Sequence, residues 1–418
     1  MHQPGKTRAT SAEYFGELVA NWRVLLAACI GMSVGLQLFS YVTGLFGPYL
    51  LKEFHWSKAQ FALVGLTMFS TILVMPLAGR LTDRFGARRM ALVGVLLSPL
   101  PLLSYSLMQG PFWMYLASSM AQLAVGTLTG PITYTRLIAA NFDKARGLAL
   151  TLVMCAPAVL AFFLAPQVAA LLESAGWRIG YRALAAFVVV VGLIAVALIP
   201  SGVTEARREH LAAKPERMRV VFAQIRREPA FWVIFLGMVL ITLSTPLHGS
   251  QFGILLAAQH LDPKDTGYMM SVYAAGTIIG RVGSGLALDW FSPRLVAALS
   301  MMLPAAGLTL IASPLDTVGA VGLGLFLVGV TIGAEGDLLS FLVARYFRIE
   351  IFSTVLSLAY CGVFLGSAIG AVSLSASLKA FDSRFEPFLL GAALLVAIGS
   401  LLFLLLPAAP REAKDEAA

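Results

Sequence analysis

The chain has 418 residues, of which 58% are hydrophobic and 12% charged, with a formal net charge of +8. Soluble proteins carry about 45–50% apolar and about 25% charged residues, so this chain lacks the polar material for a water-facing surface. That argues against a soluble enzyme, a nucleic-acid binder or a disordered scaffold. The three cysteines, Cys29, Cys155 and Cys361, lie far apart in apolar stretches without metal-ligand spacing, and are expected to be buried, reduced packing residues.

In chain order, Met1 to Asn21 is polar and lacks the charged-then-apolar layout of a signal peptide. Charge-free runs follow, bracketed by Arg23 and Lys52, Lys58 and Arg80, Arg146 and Glu173, Arg182 and Glu205, Glu228 and Asp262, Arg294 and Asp316, Glu350 and Lys379, and Glu386 and Arg411. Each is long enough for the roughly 20 apolar residues that a membrane helix needs. The stretch from Arg89 to Arg136 is about twice that length and breaks at Gly110–Pro111, which makes two spans. Two more spans are interrupted by ionisable groups, one by Arg281 and the other by Glu335 and Asp337. The expectation is an all-α membrane protein of twelve helices. Its parts are a tail over 1–22, a six-helix bundle over 23–200, a linker over 201–229, a second six-helix bundle over 230–408 and a tail over 409–418.

With the N-terminus inside, 22 of the 30 Lys and Arg residues fall on inner segments and seven on outer loops, leaving Arg281 within the membrane. By the positive-inside rule this places both termini in the cytoplasm, in a plasma (inner) membrane, and makes the net charge orientation charge rather than a nucleic-acid surface. Trp22, Trp56, Trp113, Trp177, Trp232 and Trp290 all fall near span ends, where interfacial aromatics are expected.

The halves echo each other. GRLTDRFGARR (79–89) follows the second span and GLALDWFSPR (285–294) the eighth, with Asp83 and Asp289 separated by 206 positions; LIAANF (137–142) and LVARYF (342–347) are offset by 205. Near-equal offsets of half the chain point to duplication, a common transporter design with substrate near the midplane between repeats. By itself, G-x-x-x-D-R also reads as a tight charged turn; Gly79 would let helices approach closely and Asp83 could cap a helix end. With its second copy, the segment resembles the cytoplasmic signature of the major facilitator superfamily. That resemblance implies two pseudo-symmetric six-helix bundles and a gating role for Gly79, Asp83, Arg84, Gly86, Arg88 and Asp289. Within the superfamily, NFDKARGLAL (141–150), AGWRIGYRAL (175–184), IIGRVGSGLALD (278–289) and GAEGDLLSFLVARYF (333–347) resemble the monocarboxylate porter and oxalate–formate exchanger branch.

Arg281 is the leading substrate residue. A guanidinium inside the bilayer is costly and faces a bundle interior or a watery cavity, and its planar fork suits a carboxylate. The branch resemblance implies a carboxylate anchor; a permanent salt bridge to Glu335 or Asp337 is the structural alternative, and both could hold in turn. Glu335 and Asp337, at similar depth, are candidate proton-coupling groups. Residues two apart point to nearly opposite sides of a helix, so only one can face the cavity squarely. Equally, the pair could pack helices or partner Arg345. Thr277 lies one turn before Arg281. Gln37 and Tyr41, Thr133 and Tyr134, and His248 and Gln251 are weaker cavity candidates, each of which could equally be hydrogen-bonded structurally; an imidazole can titrate near physiological pH.

The first and eleventh spans carry no lysine, and Thr277 stands where some monocarboxylate porters carry an acid, so one fixed cation suits a single carboxylate. The reading is a secondary transporter of a small organic anion, a monocarboxylate, by alternating access with proton symport or anion exchange, acting as a monomer in the lipid bilayer and without cofactor. Efflux of a drug or other hydrophobic compound and a non-transporting membrane sensor are the alternatives. No nucleophile–base pair, metal-ligand cluster or phosphate loop points to an enzyme.

Overall fold

The computed structural model describes residues 11–200, 224–259, 263–315, 317–348 and 351–407. Most of the expected 201–229 linker and most of the C-terminal tail therefore lie outside the described residues. A short helix, Ser11–Ala20, precedes twelve helical passages. These are α1 (Trp22–Phe54), α2 (58–85), α3 (Ala87–Ser106), α4 (112–141), α5 (Arg146–Ala175), α6 (Trp177–Leu198), α7 (229–258), α8 (Pro263–Trp290), α9 (Pro293–Ile311), α10 (Val318–Tyr346), α11 (Phe352–Ala380) and α12 (Glu386–Leu402). Among the described residues there is no strand.

Ten passages are long and apolar enough to cross a membrane on those grounds alone. The other two are explicable. α4 is interrupted by a 3-10 turn at Thr127–Thr129 and restarts at Pro131. α8 runs unbroken for 28 residues, roughly 42 Å at 1.5 Å per residue, but carries Arg281 and many small or polar residues. Gly110, with φ of +143°, makes the turn that divides α3 from α4.

Passages α1 to α6 and α7 to α12 pack as two groups that meet along α1–α7, α2–α11 and α5–α8. We call the face bearing residues 200 and 224 the linker face and the opposite one the far face. Toward the far face the groups touch closely. Ser271 Oγ donates to Phe162 O (2.6 Å), Gln251 Nε2 to Lys58 O (3.2 Å) and Lys58 Nζ to Ser383 O (3.4 Å). A Cβ on Gly44 would meet the Gly249 carbonyl, and one on Gly267 would meet the Pro166 backbone.

Two tryptophans depart from the interfacial expectation. Trp22, Trp113, Trp232 and Trp290 are exposed, but Trp56 and Trp177 are buried. Trp56 packs with Phe54, Phe61, Phe112 and Tyr115, and its indole N–H donates to Gly110 O (3.0 Å). Trp177 closes the same far-face cluster against Phe54 and Tyr181. Large rings with one polar handle serve a core as well as a lipid interface when a carbonyl is within reach.

Within the second group, α8 and α10 form the tightest seam, built on Gly276 and Gly280 of one helix and Gly329 and Gly333 of the other. Small residues four apart let backbones approach in an environment where helix association rests on packing rather than on water release. A Cβ on Gly280 would overlap the Val330 carbonyl, and one on Gly333 the Thr277 carbonyl. Backbone cannot yield as a flexible side chain does, so Gly280→Leu is expected to cost on the order of 3 kcal/mol or more and to remove the monodisperse peak in size-exclusion chromatography. Gly79 contradicts its expected packing role: among the described residues nothing lies within 4 Å of a Cβ placed there. Gly79→Ala is the matching control, expected to retain that peak.

The linker face has its own tie. The Glu17 carboxylate accepts the backbone N–H groups of Asp143 (2.7 Å) and Ala145 (2.6 Å), and Asn21 Nδ2 donates to Asn141 O (3.1 Å). Glu17 thus caps the start of α5 from 128 positions away, where the helix has no local side-chain cap. Burial works against its charge, but the N–H donors of Ala145 and Asp143 outweigh it and hold the carboxyl below its ordinary value. A depressed folded-state value gives stabilisation that is complete above the unfolded value of about 4.3 and is lost as pH falls through the folded one. Glu17→Ala is therefore expected to lower stability by about 1 kcal/mol at pH 7. The gap from wild type in thermal unfolding should narrow below about pH 4.

Candidate functional site

The glycine seam positions Arg281. With the α8 and α10 backbones in near contact, Arg281 Nε donates to Gly333 O (3.2 Å), and one turn further along α10 it meets Asp337 Oδ2 (3.4 Å). The guanidinium is mostly enclosed, with 15% of its side chain exposed, whereas the Asp337 side chain is 47% exposed although it lies within a span. Both contacts use Nε, so the two terminal nitrogens make no hydrogen bond among the described residues and present the edge that suits a planar carboxylate.

Glu335 and Asp337 differ as their two-residue spacing requires. Asp337 takes the ion pair; Glu335 has no cationic partner among the described residues and lies in the field of Tyr273 and Tyr360. Thr277 is buried and donates to Tyr273 O (3.1 Å), and the Tyr41 side chain from α1 meets Thr277 close to Arg281. His248 Nδ1 is 3.2 Å from the Tyr273 hydroxyl, with the two rings stacked at 5.7 Å. The three cysteines are free and only half-buried, and Cys155 of α5 lies in the field of Arg281 and Asp337. Arg281, Asp337, Glu335, Thr277, Tyr41 and His248 are thus one neighbourhood.

Other candidates lie elsewhere. Thr133 is fully buried and donates to Leu128 O (2.7 Å), covering a carbonyl left free by the break in α4. Tyr134 is fully buried in the first group, its ring filling the space above Gly31. Gln251 belongs to the far-face contact through Lys58 O. Gln37 is half-buried on α1, one turn from Tyr41. Among the motif residues, Gly86 makes the α2–α3 turn with φ of +89°, and Arg84 lies over Phe85 at 5.2 Å. Arg88 is exposed and partnered, and the side chains of Asp83 and Asp289 lie outside the described residues.

The sequence reading missed Tyr273 and Tyr360. Tyr273, Thr277 and Arg281 stand at i, i+4 and i+8, a single face of α8, and that periodicity was the available signal. Tyr360 has no such signal, because α11 brings it to the site only through tertiary packing.

The sequence profile of the Major Facilitator Superfamily matches residues 23–371. A 4-hydroxybenzoate transporter of Acinetobacter baylyi, PcaK, is 29% identical over 164 residues, covering 38% of this chain and 35% of that protein; the chain thus matches about a third of that relative's length. The fold is similar to that of a bacterial homologue of the human lysosomal transporter Spinster, crystallised in an inward-facing, unoccupied conformation (TM-score 0.71, 15% identity, 95% of this chain and 98% of that one). It is also similar to a variant of the nucleoside transporter NupG (TM-score 0.73, 13% identity, 92% of this chain and 100% of that one).

Proposed function

We propose that this chain, which belongs to the Major Facilitator Superfamily as an integral multi-pass membrane transporter and not an enzyme, carries a small organic anion, a monocarboxylate, by alternating access with proton symport. The observation that supports this reading is the Arg281 guanidinium within a span, held by Nε while its terminal nitrogens make no hydrogen bond among the described residues. It stands beside aromatic side chains, which suits a carboxylate with an aromatic or short apolar body. The 4-hydroxybenzoate relative supports the same class.

Charge balance supports the coupling. The neighbourhood holds one guanidinium and two carboxyls, so a bound anion would set three negative charges against one positive in a site of low dielectric. A proton on one carboxyl relieves that repulsion, so anion and proton load together. In our reading the bundles 23–200 and 230–408 rock about this site, both termini are cytoplasmic, the linker face is the inner face of the plasma membrane, and the protein works as a monomer. The 79–89 turn, with Gly79, Asp83, Arg84, Gly86 and Arg88, and its counterpart at Asp289, lie where the inner face has to close.

Purified protein in proteoliposomes, offered benzoate, 4-hydroxybenzoate and propionate with and without an inside-alkaline pH gradient, tests the proposal. Uptake above empty vesicles that the gradient accelerates is expected. Uptake no faster than in empty vesicles would refute the substrate class, and uptake indifferent to the gradient would replace symport with anion exchange.

A further inference from the structure

The helix Ser11–Ala20 has two unlike faces. Glu17 and Asn21 tie one of them to the 141–145 turn. The other carries Phe15 and Val19, which are 67% and 70% exposed and so pack on little of the protein. Backbone bonds from Asn21 N to Glu17 O (3.0 Å) and from Leu25 N to Asn21 O (3.1 Å) carry the helical register across the turn into α1. Phe15, Val19, Trp22 and Leu26 therefore stand at i, i+4, i+7 and i+11, within about 60° of one another around the axis. All four are exposed.

This stripe leads into an open groove of about 660 Å³. Leu26 and Cys29 of α1, Leu152, Val159 and Phe163 of α5, and Val191 of α6 line it, and no charged side chain does so among the described residues. Every lining residue belongs to the first group, so the groove is not a space between the bundles. From Leu152 to Phe163 it runs roughly 17 Å at 1.5 Å per residue, about the depth of one leaflet of a hydrocarbon core some 30 Å thick. Two polar donors stand at its linker-face mouth. Trp22 lines the groove, and the Arg23 guanidinium lies over the Trp22 ring at 5.5 Å. Both side chains are exposed; among the described residues the indole N–H makes no hydrogen bond and Arg23 meets no carboxylate. An indole beside a guanidinium at a span end suits the level at which an anionic headgroup meets hydrocarbon.

We propose that this groove is a binding site for one anionic phospholipid, drawn from the leaflet at the linker face. An acyl chain fills the groove, and the headgroup phosphate accepts hydrogen bonds from the Arg23 guanidinium and the Trp22 indole. Phe15 and Val19 seat the preceding helix in the same interface. Glu17 and Asn21 hold that helix from its other side, so protein and bilayer grip opposite faces of it. Arg23 supplies the selectivity, because a zwitterionic headgroup carries its own cation and gains less from a second one. The site is separate from Arg281 and from the transported substrate.

Thermal unfolding and native mass spectrometry of the full-length protein in detergent test the site, with phosphatidylglycerol or phosphatidylcholine of the same acyl chains added. Phosphatidylglycerol is expected to raise Tm saturably by about 3 °C and to leave one retained lipid per chain, with a smaller rise from phosphatidylcholine. Arg23→Gln, an exposed change, should bring the two lipids level. Val159→Trp, which fills the groove, should remove the retained lipid, whereas Leu299→Trp at an exposed apolar position of α9 should not. Equal responses of the wild type to both lipids, meaning a non-specific lipid coat only, overturn the proposal. An undiminished preference in Arg23→Gln, or a lipid retained in folded Val159→Trp, also overturns it.

Discussion

Arg281→Leu is expected to reduce carboxylate uptake by about 100-fold while leaving the protein folded. Removing one partner of an enclosed, charge-assisted pair costs about 2–5 kcal/mol in binding, which spans that factor. The folding cost is expected to be small for a reason visible in the site. Asp337, the acid left behind, has nearly half its side chain exposed, so water can solvate it once the guanidinium is gone. Arg281→Lys keeps the charge and loses the fork, and should recover only part of the activity, within about tenfold of the leucine variant. The double variant Arg281→Leu/Asp337→Leu removes both charges. It should match or exceed wild-type Tm and still fail to take up carboxylate, because the missing element is the anchor and not the ion pair. Normal uptake by Arg281→Leu would assign the guanidinium a purely structural role.

Glu335→Gln is expected to separate binding from coupling. A pH difference of one unit is worth about 1.4 kcal/mol, so a one-to-one symporter can concentrate substrate roughly tenfold for each unit of gradient. Asp337 is already balanced by Arg281, whereas Glu335 has no cationic partner among the described residues, and so Glu335 is the carboxyl whose charge a travelling proton would cancel. The glutamine variant keeps a permanently neutral group there. It should bind substrate and exchange it across the membrane, yet gradient-driven accumulation should fall from about tenfold per unit to none. Accumulation that survives Glu335→Gln and vanishes in Asp337→Asn would move the proton to the ion-paired acid.

Much of this architecture is legible in the chain itself. Ten of the twelve spans show as charge-free runs because a helix in hydrocarbon cannot satisfy ionised side chains, and the same rule made Arg281, Glu335 and Asp337 conspicuous in the other two. Legibility ends where neighbours decide. Thr133 and Gln251 are polar residues in apolar helices, as Thr277 is, but one covers a freed carbonyl in α4 and the other ties α7 to α2. Gly79 sits in a recognisable motif yet packs against nothing among the described residues, because close approach depends on a partner helix that the motif itself does not supply. Trp56 and Trp177 were placed correctly at span ends and wrongly at the lipid interface, since burial depends on which other helices end beside them.

The sequence by itself determined that the chain crosses a membrane twelve times, that its halves repeat, and that three ionisable side chains stand deep within its spans. The spans and their charged residues follow from the free energy of moving residues between water and hydrocarbon, a property of each segment alone, and the repeat follows from motifs recurring at half-chain spacing. Only the tertiary structure decided that Asp337 rather than Glu335 takes the guanidinium, and that Tyr273 and Tyr360 complete the neighbourhood. Hydrogen bonds and ion pairs act over a few ångströms, and in this fold those distances are set by helix seams between residues tens to hundreds of positions apart.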